Sequence, residues 1–320
     1  MRPLLTRELL YSIARHSNWR ASSIEARFRS AGIYASPRNW AAFVRLLLLG
    51  AGVSFLVAGV LFFFAYNWAD MHKFLKLGLL QALLLSITAF VLLSRRSESV
   101  KNMLLTGNTV LVGVLFAVFG QIYQTGANAY DFFMGWTCCV VLWVAVANYA
   151  PLWLIFMALA NTTLILYVNQ VATHWPLAVL LDLLFLMNSG ALLVCELVAR
   201  KEVEHLRSRW LQRVLGLAAV TAITVSLISG IYGSMKDDWG VCLLLAAVGF
   251  AAGIWHGRRV RDLFYLSAIP FSGIVVVASL LVRVADKAPE LLLLVASVFI
   301  IGSTTLLVRN IIRINHKWHG

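Results

Sequence analysis

Long apolar runs recur along most of the chain, and they constrain its fold more than any other feature of the sequence. Ten of these runs approach the roughly 20 residues that an α-helix needs to cross a hydrocarbon core. Because backbone polar groups in a bilayer must be satisfied within the segment itself, we predict that each run is a helix and not a strand. The predicted spans are 43–66, 77–93, 103–119, 132–148, 151–168, 176–199, 211–232, 239–256, 263–282 and 291–308.

Composition places the chain among polytopic membrane proteins. Hydrophobic residues make up 61% of the sequence and the mean hydropathy is +0.82, whereas soluble domains are roughly 45–50% apolar. The net charge of +13 does not indicate nucleic-acid binding, because Lys and Arg form short clusters between the apolar runs. The predicted fold is an all-α transmembrane helical bundle of ten spans, embedded in the lipid bilayer.

The first 42 residues form a separate, basic segment. Arginines are spread through it, and it lacks the apolar stretch that a signal peptide requires. Apolar residues at helical spacing predict two short helices, over 4–14 and 21–31. Ser36 followed by Pro37 predicts the start of the first membrane helix, since serine caps helices well and proline suits their first position. The predicted parts are an N-terminal cytoplasmic helical segment over 1–42, a transmembrane bundle over 43–308 and a cytoplasmic tail over 309–320.

The distribution of positive charge predicts the orientation. Ten spans put both termini on one side of the membrane, and 22 of the 27 Lys and Arg residues fall on that side. Under the positive-inside rule, both termini are therefore expected in the cytoplasm. We expect a multi-pass protein of the bacterial inner membrane.

The third and fourth spans are joined by a polar-aromatic loop, residues 119–136, that contains no Lys or Arg. It reads FGQIYQTGANAYDFFMGW and is expected on the outer side, together with the loops YNWADMHK and YVNQVATHW. Tyr and Trp are typical of the membrane interface, which is one interpretation of these loops. The other interpretation is a binding surface, because the amides and the carboxylate of the polar-aromatic loop carry more hydrogen-bonding capacity than a short turn requires. The candidate binding residues are Gln121, Tyr123, Gln124, Asn128, Tyr130, Asp131, Asn67 and Trp68.

The polar-aromatic loop, with AYNWADM before it and APLWLIFMALAN after it, resembles a family of bacterial membrane proteins called domain of unknown function 2157. The family plan is a short cytoplasmic helical segment followed by a bundle whose first helix contains glycine and ends in an Asn-Trp pair, here Asn67 and Trp68. The resemblance covers roughly residues 1–170. It implies an inner-membrane location and association with other envelope membrane proteins, and it carries no established reaction.

The sixth span carries polar residues on one face. Asp182, Ser189 and Glu196 recur at seven-residue spacing, which drifts by only about 20° around a helix, and Asn188 lies beside them. Because ionisable side chains in a membrane avoid lipid, this face is expected to look into the bundle or a watery cavity. Asp182 then either holds helices together by hydrogen bonding or belongs to a polar path for a solute.

The eighth span carries three glycines at four-residue intervals, Gly249, Gly253 and Gly257. Such a ridge of small residues lets another helix approach closely. We interpret it as a packing seam, either inside the bundle or between two copies in a homo-oligomer.

Motifs for known chemistry are lacking. The chain has no Walker loop, no HExxH and no GxSxG nucleophile elbow. His72 and His174 share the expected outer side with Asp70 and Asp131, but their spacing is not a recognised metal-ligand pattern. No catalytic residue, metal ion or cofactor is therefore predicted.

Three functional hypotheses follow, in this order. The first is a non-enzymatic envelope component that docks a partner through the outer loops. The second is a carrier or flippase that moves a small or lipid-like solute along the polar face of the sixth span. The third is a membrane enzyme that acts on a lipid-linked substrate at the outer surface.

The orientation is testable by cysteine labelling. With the four native cysteines replaced by alanine, Asn128→Cys is expected to react with a membrane-impermeant thiol reagent added from outside, because the charge bias places the polar-aromatic loop there. Labelling is measured on intact spheroplasts and on inverted vesicles. Reaction in inverted vesicles alone would reverse the orientation.

Overall fold

The chain is almost entirely helical in the computed structural model, which describes residues 7–16, 18–30, 36–66, 71–123, 126, 128–147, 149–199, 209–233, 239–285 and 289–319. Within these ranges there are twelve α-helices and no strand. They are α1 (Arg7–His16), α2 (Ala21–Ser30), α3 (Pro37–Tyr66), α4 (Lys73–Leu93), α5 (Glu98–Tyr123), α6 (Ala129–Ala147), α7 (Ala150–Gln170), α8 (Leu177–Ala199), α9 (Trp210–Tyr232), α10 (Trp239–Val260), α11 (Leu263–Ala285) and α12 (Pro289–His319).

In the part of the chain that the structure describes, ten helices, α3 to α12, are long and apolar enough to cross a membrane. This confirms the predicted all-α bundle and its number of spans. The helices form because each run satisfies its own backbone hydrogen bonds, which hydrocarbon requires. The placement of both termini in the cytoplasm stays a prediction.

The helices divide into two compact units, residues 1–115 and 116–320, and the division falls within α5. In the first unit, α1 and α2 confirm the two short helices predicted near the N-terminus. The rings of Tyr11 and Phe28 pack 5.0 Å apart, centroid to centroid, and join them. The predicted start of the first membrane helix is also confirmed, because the backbone N–H of Asn39 donates to Ser36 Oγ at 3.2 Å.

Polar side chains link α4 to α5 within the first unit. Asn108 is fully buried, and its Nδ2 donates to Thr88 Oγ1 at 2.9 Å. Thr88 in turn donates to the carbonyl oxygen of Leu84 one turn earlier. A buried amide has no water to bond to, so its hydrogen bond to Thr88 fixes which face of α5 packs against α4.

The second unit begins with a tight helical hairpin. Helix α6 ends at Ala147 and α7 begins at Ala150, with Tyr149 as the N-cap residue and Pro151 in the first turn. This confirms the predicted division between the fourth and fifth spans, and Pro151 suits the first turn of α7 because the N–H that proline lacks would have no partner within the helix there. Thr137 and Thr163 bring α6 and α7 together, with their hydroxyl oxygens 3.4 Å apart.

Helices α7 and α8 are joined by a pair of asparagines. Asn188 Nδ2 donates to Asn161 Oδ1 at 2.7 Å, and Asn161 Nδ2 donates to Asn188 Oδ1 at 3.2 Å. Each amide also donates to the carbonyl oxygen four residues earlier. Both side chains are thus satisfied between the helices, where an unpaired amide would cost about 1–3 kcal/mol.

A helix-ending motif sets the turn between α10 and α11. Arg261 has a φ of 54°, the left-handed conformation, and the N–H of Asp262 donates to the carbonyl oxygen of Gly257 at 3.0 Å, as in a Schellman motif. Asp262 then caps α11 by accepting from the N–H of Phe264 at 3.0 Å. Its two carboxylate oxygens also accept from Arg213 of α9, each at 3.2 Å. Through its backbone N–H and its carboxylate, the buried residue Asp262 therefore holds three helix ends together.

Candidate functional site

The polar-aromatic loop is described in part. Gln121 and Tyr123 lie in the last turn of α5, while Tyr130 and Asp131 lie in the first turn of α6, where an acidic side chain is favoured by the helix dipole. Asn128 precedes α6, and its carbonyl oxygen accepts from the N–H of Asp131 at 3.1 Å. The candidate residues Gln124, Asn67 and Trp68 lie outside the described residues.

Two of the three predicted outer loops meet at Tyr130. Its backbone N–H donates to Gln170 Oε1 at 3.1 Å, at the end of α7. Its ring packs against Tyr167 at 5.5 Å in an edge-to-face arrangement, and Tyr167 packs similarly against Trp175 at 6.1 Å. The start of α6 and the loop after α7 therefore form one surface, which we call the aromatic platform (Tyr130, Tyr167, Gln170 and Trp175).

Asp182 lies buried where α8, α9 and α10 pack together. Its carboxylate is buried, and Oδ1 accepts from Ser226 Oγ at 2.7 Å. Ser226 in turn accepts from Cys242 Sγ at 3.2 Å, so the chain of hydrogen bonds crosses α8, α9 and α10. Phe185 and Ile223 belong to the apolar cluster that surrounds Cys242. This arrangement satisfies the carboxylate locally, as the structural interpretation of Asp182 requires.

The other two members of the predicted polar face, Ser189 and Glu196, line a cavity. It has a volume of about 410 Å³ and lies between α8, α9, α10 and α11. Its walls are mostly apolar, and they include Phe185, Leu193 and Val248. The face predicted from the sequence is therefore split: Asp182 and Asn188 hold helices together, whereas Ser189 and Glu196 face open space.

Gly249 and Gly253, two of the three regularly spaced glycines on α10, also line this cavity, and close contacts explain why side chains are missing there. A Cβ atom at Gly249 would lie 2.5 Å from Cζ of Phe185, and one at Gly253 would overlap Cδ1 of Ile269. At Gly257 a Cβ atom would lie 3.0 Å from Cβ of Tyr265. Within the described chain, side chains of α8 and α11 therefore pack against the row of three glycines on α10.

An acid and a histidine form the polar end of the cavity. Glu196 Oε1 and His256 Nε2 are 3.3 Å apart, and both side chains are largely buried, at 14% and 18% exposure. The two atoms are close enough for an ion pair, but their angles do not allow a hydrogen bond to Nε2. The His256 ring packs edge-on against Tyr265 at 5.4 Å, and Tyr265 donates from its hydroxyl to the carbonyl oxygen of Gln212 at 3.3 Å.

Sequence reasoning missed His256, although the glycine spacing contained the signal. His256 follows Gly249 by seven residues and Gly253 by three, so it lies on the same face of α10. What the spacing does not give is the partner, because Glu196 lies 60 positions earlier on another helix. Among the described residues there is no group of three or more His, Cys, Asp and Glu side chains placed to hold a metal ion.

Part of the chain matches a family of known proteins. Residues 17–153 match the family described as "Predicted membrane protein (DUF2157)", which confirms the resemblance found in the sequence. No curated protein and no solved structure matches the chain. With ten apolar helices, the protein is a multi-pass membrane protein. The matched segment ends in α7, before every residue that lines the cavity.

The contact at Gly249 predicts a stability difference between two glycine substitutions. Gly249→Ala is expected to leave the protein about 1–3 kcal/mol less stable than Gly273→Ala, because the new methyl group overlaps Phe185, whereas Gly273 has open space around it. Both glycines are interior to their helices, so helix propensity cancels. Stability is measured by reversible unfolding in mixed micelles. Equal stabilities would contradict the close contact.

Proposed function

We propose that the protein is a carrier that binds a lipid-like amphiphile in the cavity between α8 and α11. A single observation carries the proposal: an apolar cavity of about 410 Å³ ends in the Glu196–His256 pair. An apolar space with a few polar groups at one end suits a molecule with a tail and a head group. The second of the three hypotheses is therefore favoured over partner docking.

The length of the cavity supports a lipid tail. Along α10 its lining runs from Leu245 to His256, which corresponds to about 16 Å at about 1.5 Å per residue. This is about half of the roughly 30 Å hydrocarbon core. A tail from one leaflet therefore fits the cavity lengthwise.

The cavity is open on the side that faces hydrocarbon. Leu193 of α8 and Val248 of α10 line it, and they are also exposed on the surface, at 61% and 62%. A tail therefore has an entrance between α8 and α10 that does not require it to pass through water. Helical spans, in contrast to the strands of bacterial outer-membrane proteins, support an inner-membrane location.

Two neighbouring alanines on α10 test the proposal. Ala252 lines the cavity and Ala251 does not, although both are exposed. Ala252→Phe is expected to weaken lipid binding by about tenfold, equivalent to about 1.4 kcal/mol, because the ring occupies the space for the tail. Ala251→Phe is the matched control and is expected to bind like the wild type. Binding is measured by photocrosslinking to a diacyl lipid with a diazirine in its tail.

The location of the crosslinks decides the outcome. The account expects labelled peptides from α8 and α10 in the wild type. Labelling that is equally strong in Ala252→Phe, or that is confined to other helices, would remove the cavity as the binding site.

The aromatic platform supports a second function, docking of a partner on the outer side. The observation that favours it is the joining of two loops by the Tyr130–Gln170 hydrogen bond and the Tyr130–Tyr167–Trp175 ring contacts. Loops held rigidly by a scaffold are common binding surfaces, and exposed Tyr and Trp are enriched in interfaces. Other envelope membrane proteins, or a second copy of the chain, are the partners that this hypothesis proposes.

Loop and intramembrane substitutions separate the two functions. If docking is the main role, Asp131→Ala is expected to reduce the partners that co-purify after gentle extraction, whereas Asp182→Asn keeps them because asparagine still accepts from Ser226. Co-purification is read by quantitative mass spectrometry. Partners that persist in Asp131→Ala and are lost in Asp182→Asn would reject docking through the loop.

A further inference from the structure

We infer that the bound amphiphile is a membrane phospholipid whose phosphate lies at Arg259, just beyond the Glu196–His256 end of the cavity. The inference rests on the proposed function and goes further by naming the class of ligand. It depends on three observations on α10 and its neighbours: a guanidinium in cation–π contact with a tryptophan, an excess of positive charge among the described residues, and the order of side chains along the helix.

The guanidinium of Arg259 makes a cation–π contact with an aromatic ring. Its Cζ lies 5.2 Å from the centroid of the Trp255 ring, one helical turn earlier. Trp255 itself lines the cavity and is 60% exposed. A guanidinium also carries a planar fork of N–H donors, the geometry that phosphate oxygens accept.

Positive charge is in excess at this end of the cavity. Among the described residues, Asp262 pairs with Arg213 and Glu196 with His256, and no carboxylate comes within ion-pair distance of the exposed Arg258, Arg259 or Arg261. Basic pockets between membrane helices bind anionic lipid head groups. A phosphate at Arg259 would complement this charge.

The order of side chains along α10 matches the order of chemical groups in a phospholipid. Leu245, Val248 and Ala252 line the apolar part, His256 lies at the polar end, and Arg259 follows one turn later. Tryptophan typically sits at the membrane interface, where the glycerol and phosphate groups lie. Free phosphate would use Arg259 alone, and the apolar cavity favours a ligand with a tail.

Arginines at a helix end also arise from the positive-inside rule and from the helix dipole. Arg313 is exposed near the end of α12, a helix that contributes none of the residues lining the cavity, whereas Arg259 follows the lining residues Trp255 and His256 on α10. Arg313 therefore serves as the matched control, since a purely topological role would make Arg259 and Arg313 equivalent. Arg259→Lys keeps the positive charge but loses the planar fork of N–H donors. It therefore separates the contribution of charge from that of hydrogen-bond geometry.

The experiment measures lipid binding to the full-length, delipidated protein by native mass spectrometry. The probes are phosphatidylglycerol, a diacylglycerol with the same chains, and inorganic phosphate. The wild type is expected to bind phosphatidylglycerol about tenfold more tightly than diacylglycerol, the gain of one charge-assisted contact. Arg259→Gln is expected to lose this preference without weakening diacylglycerol binding, Arg259→Lys to keep part of it, and Arg313→Gln to keep all of it.

Each outcome has one interpretation. Equal affinity of the wild type for both lipids would overturn the head-group inference and leave the proposed carrier intact. No binding of either lipid would overturn the carrier itself. If Arg313→Gln also loses the preference for phosphatidylglycerol, the preference depends on overall charge and not on Arg259. If inorganic phosphate at equal concentration displaces phosphatidylglycerol, the lipid tail does not contribute to binding. If Arg259→Gln does not elute as a single species, Trp255→Phe, which weakens the cation–π contact, is expected to reduce the preference instead.

Discussion

Polar side chains inside hydrocarbon must find partners within the protein, and this constraint shapes the second unit. The asparagine pair Asn161–Asn188 joins α7 to α8. Ser226 donates to Asp182 and so joins α9 to α8. Each contact fixes the rotation of a helix, because turning it would leave an amide or a carboxylate unsatisfied. Ser189 and Glu196 follow Asp182 by seven and fourteen residues on the same face of α8, and at their level this face borders the cavity.

Glycines on α10 allow neighbouring helices to pack closely around the cavity. Phe185 and Ile269 reach the backbone of α10 at Gly249 and Gly253, where any side chain would displace them. These contacts hold α8, α10 and α11 near one another, and the space left between them is apolar except at Glu196 and His256. An ionisable pair that faces such a space, and is not sealed in the core, is typical of a functional site in a membrane protein.

The features that follow from local physics were predictable from the sequence. The ten spans depend on length and hydropathy, the start of α3 on a Ser-Pro capping pair, and the α6–α7 hairpin on Pro151. For the face of α8 that carries Asp182, Ser189 and Glu196, the sequence did not show that Asp182 would be packed and that Glu196 would border a cavity. That difference depends on which helices pack against α8 at each position. The contact of Glu196 with His256 likewise depends on how α8 and α10 pack, and residue spacing within one helix encodes neither.

The central claim is that a phospholipid tail occupies the space beside Phe185 and that its head group lies at Arg259. An experimental structure of the protein in a lipid bilayer, without added detergent, tests this claim most directly. The account predicts elongated density of about one leaflet's length along α10, with a phosphate within about 3 Å of the Arg259 guanidinium. A cavity that has closed by movement of α8 against α10, with lipid only around the outside of the helices, would contradict it.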